Sequence, residues 1–137
     1  MSRATNSAES VVRGYFEARN AGDDGEQFLA ADFIRHSPPE IVGIAAYRAW
    51  LAALRTMWSD ERWTVNDIAS NEGTVWAWLT NESRHVGTWR GLPATDRDVV
   101  FDVVNIFRIR EDRIAEMWRI SDDWSRIRQL GGDIRWT

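Results

Sequence analysis

The chain has 137 residues, enough for one domain with a core and too few for two, and its formal net charge of -4 with a pI near 5.2 offers no basic surface for nucleic acid. Cysteine is absent and all 17 basic residues are arginine, which excludes thiolate nucleophiles, disulfides, cysteine-ligated metals, Schiff-base lysines and a P-loop lysine. No apolar run approaches the roughly 20 residues of a membrane span, and MSRATNSAES lacks the apolar centre of a secretory signal, so a cytoplasmic protein is expected.

Asn6 and Glu9 have the spacing of a capping box, and Val12, Tyr15, Phe16 and Arg19 follow at helical intervals, predicting a helix over 6–22 that Gly22 ends. EQFLAADF reads as a short helical piece. His36-Ser37-Pro38-Pro39 must be loop, since proline cannot continue a helix and restrains its neighbour. A second helix follows Gly43, where Ile44, Tyr47, Trp50, Leu51, Leu54 and Trp58 recur at threes and fours as an apolar stripe. From Trp63 the period becomes two. Strands are predicted at 62–70, 74–83, 84–90, 99–110 and 113–121 as antiparallel hairpins, with a turn at Asn71-Glu72-Gly73 and a loop in GLPATDRD. Thr95, Asp96 and Arg97 are expected to hold that loop by local hydrogen bonds. A last helix over 122–130 stops at Gly131-Gly132. Helices first and a curved antiparallel sheet afterwards give one α+β domain over 1–137, its helices closing one face of the sheet.

Only His36 and His85 offer imidazole, and no metal-binding, dinucleotide or hydrolase signature occurs, so no metal or cofactor is expected. In strand 99–110, Val99, Phe101, Val103, Asn105, Phe107 and Ile109 share a face. Asn105 is the odd member: a buried amide left unpaired costs about 1–3 kcal/mol, so it bonds either a neighbouring loop or a ligand. The opposite face, with Val100, Asp102, Val104, Ile106 and Arg108, suits a half-covered or dimer-facing surface where Asp102 and Arg108 would pair. In the next strand Met117 and Arg119 share one face, Trp118 and Ile120 the other. A two-residue turn pairs Asn105 with Trp118, whereas a three-residue bulged turn pairs it with Met117 and brings Arg119 into the same cavity. His36 stands at the sheet rim, as a proton acceptor near neutral pH or as a brace for its loop. Asp122 and Asp123 suit the start of the last helix. Nine tryptophans exceed the needs of one core, so some of Trp50, Trp58, Trp76 and Trp78 are expected to line a cavity for a flat polycyclic ligand.

The order of elements, with RHVGTWRGLPATDRDVV, NIFRIREDRIAEMW and RQLGG, resembles the SnoaL-like polyketide cyclases of the NTF2-like superfamily from Val11 to Gly131. The resemblance implies a conical barrel, a curved antiparallel sheet closed by the N-terminal helices and paired sheet to sheet as a homodimer. It also implies an aromatic polyketide of anthracycline type as substrate, closed by intramolecular aldol addition without metal or cofactor. In those cyclases a Gln-x-His stands on the long strand and a His-x-Asp, carrying the catalytic carboxylate, on the next. Here they fall on Val103-Val104-Asn105 and Met117-Trp118-Arg119, so a permanent cation stands where the base belongs. The family also contains relatives that hydroxylate the anthracycline skeleton at position 1 without an evident cofactor, and the chain is expected to be closest in type to that branch.

The function so implied is cofactor-independent hydroxylation in antibiotic biosynthesis. Arg119 would stabilise a substrate carbanion beside Asn105, Asp122 and His36, with an Arg119–Asp122 contact at the cavity mouth balancing the charge. The expected lining comprises Tyr15, Phe33, Trp50, Leu54 and Trp58 from the helical side, and Trp78, Phe101, Val103 and Met117 from the sheet. Three alternatives stay open: a cyclase or isomerase using Asp122 or His36 as acid/base, a non-catalytic binding module, and an epoxide hydrolase built on Asp102, Arg119 and Asp122. The last requires Asp102 to face inward.

Overall fold

A computed structural model describes the backbone of residues 3–133 and the side chains from Ser7 to Asp133, so the expected cap at Asn6 lies outside the described side chains. Helix α1 (Arg3–Asn20) begins ahead of that cap and ends at the turn where Gly22 takes φ 85°. Val12, Tyr15, Phe16 and Arg19 form its buried stripe.

The segment 26–33 differs from its reading as a helix. Only Glu26–Phe28 makes a single 3-10 turn, and strand β1 (Leu29–Arg35) follows at once. Its weak helical preference yields to two ladders, one antiparallel to β2 (Ile41–Val42) and one parallel to β6 (Arg113–Ser121). Helix α2 (Ile44–Met57) stops short of Trp58, which opens β3 (Trp58–Asn71) instead of completing the helical stripe. The predicted strands at 74–83 and 84–90 are also corrected: β4 (Thr74–His85) is one strand, and the chain leaves the sheet after it. There the amides of Val86 and Gly87 both donate to Met57 O, at 2.8 and 3.2 Å. A Cβ on Gly87 would stand 2.1 Å from Thr56 O, so only glycine allows the approach. Strand β5 (Asp98–Arg110) and β6 precede α3 (Asp123–Gln129).

The sheet order is β2-β1-β6-β5-β4-β3, antiparallel at every junction except β1–β6. The sheet curves around α1 and α2 without closing. Val75, Ala77 and Leu79 of β4 and Phe101, Val103 and Phe107 of β5 are buried on the inner side, where Phe16 meets Trp63 and Phe107 at ring distances of 5.2 and 6.0 Å. Trp76, Trp78, Val100, Val104 and Ile120 stand exposed on the outer side. No helix among the described residues is long and apolar enough to cross a membrane.

The β5–β6 hairpin takes neither of the two registers considered. Its turn has two residues, Glu111 and Asp112, with φ 52° and 60° as a type I′ turn requires. Ile109 pairs with Ile114, but Arg108 pairs with Glu116, leaving Ala115 as a bulge one step beyond the turn. Every later pair is displaced by one residue, and Asn105 therefore faces Arg119.

Candidate active site

Between α2, the β1–β2 loop, the end of β6 and α3 lies a cavity of about 610 Å³. Trp50, Leu54, Met57, Trp58 and Trp89 give it apolar walls, while Arg35, Arg90, Arg119, Arg126 and Asp123 carry its charge. A recess of about 20 Å³, bordered by Glu61, Trp63, Asn81, Ser83 and Phe101, shares Leu54, Trp58, Arg119 and Arg126 with it; Glu61 there is held by Arg19 at 2.7 Å.

Arg119 is fixed at its backbone. Ser37 Oγ accepts from Arg119 N at 2.6 Å and donates to Arg119 O at 3.1 Å, tying β6 to the proline loop. The guanidinium carbon stands 5.9 Å from the Trp63 ring centre, and among the described residues no carboxylate pairs with it. Burial, reinforced by the Arg126 and Arg35 cations and opposed by Asp123, pushes its pKa down to about 10, so it stays charged at neutral pH. Opposite it, Asn105 is 4% exposed and its Oδ1 has no partner.

Arg126, on α3, is enclosed by rings: its guanidinium carbon lies 4.2 Å from the Trp89 centre, 4.4 Å from Phe101 and 4.9 Å from Trp58. It pairs with Asp123 at 2.8 Å, as does Arg90. Burial alone would raise the Asp123 carboxyl, but the Ser121 hydroxyl at 2.7 Å and these two arginines hold it below the ordinary carboxylate value. It is an anion throughout the neutral range and has no proton to give.

Of the expected site residues, the fold gathers Arg119, Trp50, Leu54 and Trp58 at the cavity and Phe101 at its recess. Asn105 adjoins Arg119 across the ladder. Asp122 does not reach the cavity. Its carboxylate accepts from Ser125 N at 3.1 Å as the α3 cap, which turns it to solvent, so the expected Arg119–Asp122 contact is absent and Asp123 faces the arginines instead. His36 also lies outside, stacked on Trp118 at 4.6 Å and bonded through Nε2 to Glu116 at 2.9 Å. The alternation of β4 turns Trp78 outward, 50% exposed, because Ala77 and Leu79 take the inner positions. Tyr15, Phe33, Val103 and Met117 are packed in the core and do not line the cavity.

Asp102 is exposed on the outer side, 3.4 Å from Thr80 Oγ1 and not paired with Arg108, so the set Asp102, Arg119 and Asp122 is never assembled. In GLPATDRD, Thr95 anchors the loop on His85 Nδ1 by its hydroxyl at 3.1 Å and its amide at 3.3 Å. The Arg97 amide donates to Thr95 Oγ1 at 3.3 Å, while Asp96 contributes its φ of 57° and a backbone bond to His85 O.

Arg35, Trp89, Arg90 and Arg126 were not singled out by the sequence, and Asp123 was read only as part of the acidic start of the last helix. A signal existed for Arg126, which shares a helical face with Leu130 four residues on, an arginine on an apolar stripe. For Arg35, which ends β1, the misreading of that strand as helix concealed it.

The SnoaL-like polyketide cyclase profile matches residues 9–130. The chain is 30% identical over 129 residues to the aklanonic acid methyl ester cyclase DauD of Streptomyces sp. (strain C5), covering 88% of this chain and 80% of that protein. Against the nogalonic acid methyl ester cyclase of Streptomyces nogalater it is 27% identical over 114 residues, covering 80% and 84%. TsrD from Streptomyces laurentii superposes with a TM-score of 0.83 at 26% identity, over 97% of this chain and 99% of that one. AclR from Streptomyces galilaeus, a proposed hydroxylase, superposes with a TM-score of 0.81 over 93% and 97%, and at 20% identity it bears on the fold alone. The profile runs from within α1 through α3, over the whole sheet and the arginine-lined cavity, and the chain belongs to the SnoaL-like polyketide cyclase family.

Proposed function

We propose that the chain is a polyketide-tailoring enzyme that hydroxylates a polycyclic aromatic substrate through a stabilised carbanion, without a bound metal or flavin. The observation that carries this reading is Arg119, a cation in an aromatic-walled cavity with no carboxylate of its own among the described residues. A substrate enolate or phenolate laid against Trp50 and Trp58 would supply the missing charge, and a fixed guanidinium favours the carbanionic form over the neutral one. The proton lost from the substrate passes to solvent, the carbanion carbon bonds to O₂ as a peroxide anion, and a proton from solvent completes the hydroperoxide. Two electrons and two protons from an external reductant, such as a reduced nicotinamide, split it into a hydroxyl on carbon and water.

A second reading, aldol cyclase, is favoured by the 30% identity to DauD, named an aklanonic acid methyl ester cyclase. Against it, ring closure benefits from a general acid for the developing alkoxide, and Asp123, held ionised, is the single carboxylate among the described residues lining the main cavity. Incubation of an anthraquinone polyketide and its ring-open ester with reductant, in air and under nitrogen, separates the two by product mass. Hydroxylation predicts one added oxygen atom, labelled from ¹⁸O₂, in air only. Ring closure that proceeds equally under nitrogen would put the cyclase first.

The outer face of the sheet, where Trp76, Trp78, Val100, Val104 and Ile120 are exposed, is the surface on which we place a second copy of the chain, sheet to sheet. Trp78→Glu is expected to turn a dimer into a monomer in sedimentation equilibrium. Wild-type protein that is already monomeric under the same conditions would remove the dimer.

A further inference from the structure

Arg119 is one of four guanidinium groups on the cavity wall, facing a single carboxylate among the described lining residues. That carboxylate, Asp123, is shared by Arg90 and Arg126. Arg35 has none. Its side chain is buried, at 6% residue exposure; Nη1 donates to the backbone oxygens of Ser37 at 2.9 Å and Pro39 at 3.3 Å, and Nε has no partner. Nη2 is likewise unbonded among the described residues and belongs to a group that lines the cavity. The guanidinium carbon lies 4.9 Å from the Trp50 ring centre, so this cation stands at the edge of the wall on which an aromatic ring would lie. A buried cation bonded only to carbonyls is unfavourable until a negative group joins it; burial already pushes the Arg35 guanidinium below its ordinary value.

Resting on the reading of this cavity as the substrate site, we propose that Arg35 is a carboxylate subsite and that the substrate is an aromatic acid, bound as the free carboxylate and not as a neutral ester. The guanidinium plane and its unbonded Nη2 match a carboxylate, and Trp50 holds that plane in place. The relatives named above are methyl ester cyclases. An ester would bring Arg35 an acceptor but no charge. Arg35 is thus a specificity-determining residue for the same cavity in which Arg119 meets the reacting carbon.

Isothermal titration calorimetry with anthraquinone-2-carboxylate and its methyl ester tests this. Wild-type protein is expected to bind the acid about tenfold or more tightly than the ester, the size of one charge-assisted contact. Arg35→Gln is expected to bring the two affinities within about twofold, whereas Arg113→Gln, at the exposed β5–β6 turn, leaves the preference intact. Equal affinities, a tighter ester, no binding of the acid, or an unchanged preference in Arg35→Gln would overturn the proposal. Should Arg35→Gln not fold, wild-type titrations from about 50 to 500 mM salt decide, because a preference carried by charge weakens with salt and one carried by shape does not. Oxygen uptake is read separately. Acid preference without uptake keeps the subsite and removes the hydroxylase, and hydroxylation with no acid preference does the reverse.

Discussion

Arg119→Gln is expected to lower turnover by about 10²-fold or more while the protein remains folded. Glutamine keeps much of the length and the hydrogen-bonding capacity and loses only the charge, so the variant isolates the electrostatic contribution. The effect should fall on kcat, because the interaction strengthens as carbanion character develops; a rise in KM alone would mean that Arg119 only holds the bound substrate. Its melting temperature should hold or rise, since the guanidinium has no carboxylate partner among the described residues to forfeit. Steady-state oxygen uptake beside a thermal melt measures both. Unchanged turnover in a folded variant would end the role assigned to Arg119.

The largest stability effect is expected away from the cavity, at the pair Arg19 and Glu61. Arg19 Nη2 and Nε reach the two Glu61 oxygens at 2.7 and 3.1 Å, and its side chain is 3% exposed. From Nη1 a further bond at 2.7 Å reaches Tyr15 Oη, which meets Tyr47 Oη at 2.8 Å, and Tyr47 donates to Asp24 O at 2.6 Å. Burial by itself would lower the Arg19 guanidinium; the oxygens of Tyr15, Glu61 and Tyr47 more than reverse that and raise it. Glu61→Ala strands this cation between α1, α2 and β3. The loss should be about 3–5 kcal/mol, or roughly 10–17 °C in Tm for a chain of this size. Asp98→Ala, which breaks the exposed pair with Arg84, should hardly move Tm. Equal shifts in the two variants would show that water replaces the Glu61 carboxylate.

The long elements were legible because one face of each is buried. The alternation of β5 places Phe101, Val103, Asn105 and Phe107 inward as its spacing dictates, and one of the two aspartates at the start of α3 caps it as expected. What escaped were features decided by partners distant in sequence. EQFLAADF becomes strand because β6 and β2 lie beside it, and no local preference encodes a parallel neighbour some 80 residues away. Trp78 faces out because β4 gives its inner positions to Val75, Ala77 and Leu79, against the expectation that the largest rings go inside. Within the site, the capping rule left open which of the two neighbouring aspartates would cap α3; Asp122 does, and the arginine contact expected of it falls to Asp123. Arg119 was found through the resemblance, which sets it where the family's carboxylate stands, whereas Arg35 needed the tertiary fold.

Ala115, the bulge residue of the β5–β6 hairpin, has a consequence for how this chain can change. Side chains along a strand alternate, so β6 has a parity, and the distance in residues from the Glu111-Asp112 turn decides which parity faces the interior. Hold Ala115 in the ladder opposite Arg108 and Trp118 comes opposite Asn105, while Arg119 is sent to the outer face with its identity untouched; delete Ala115 and the regular ladder still sets Arg119 opposite Asn105. Taking this one residue into the ladder therefore rewrites the chemistry of the cavity without altering a single functional side chain, whereas losing it outright preserves that chemistry. Relatives shorter here by the bulge residue alone would keep the pairing, and relatives of equal length that paired it would lose it, because the inheritance that matters is a register.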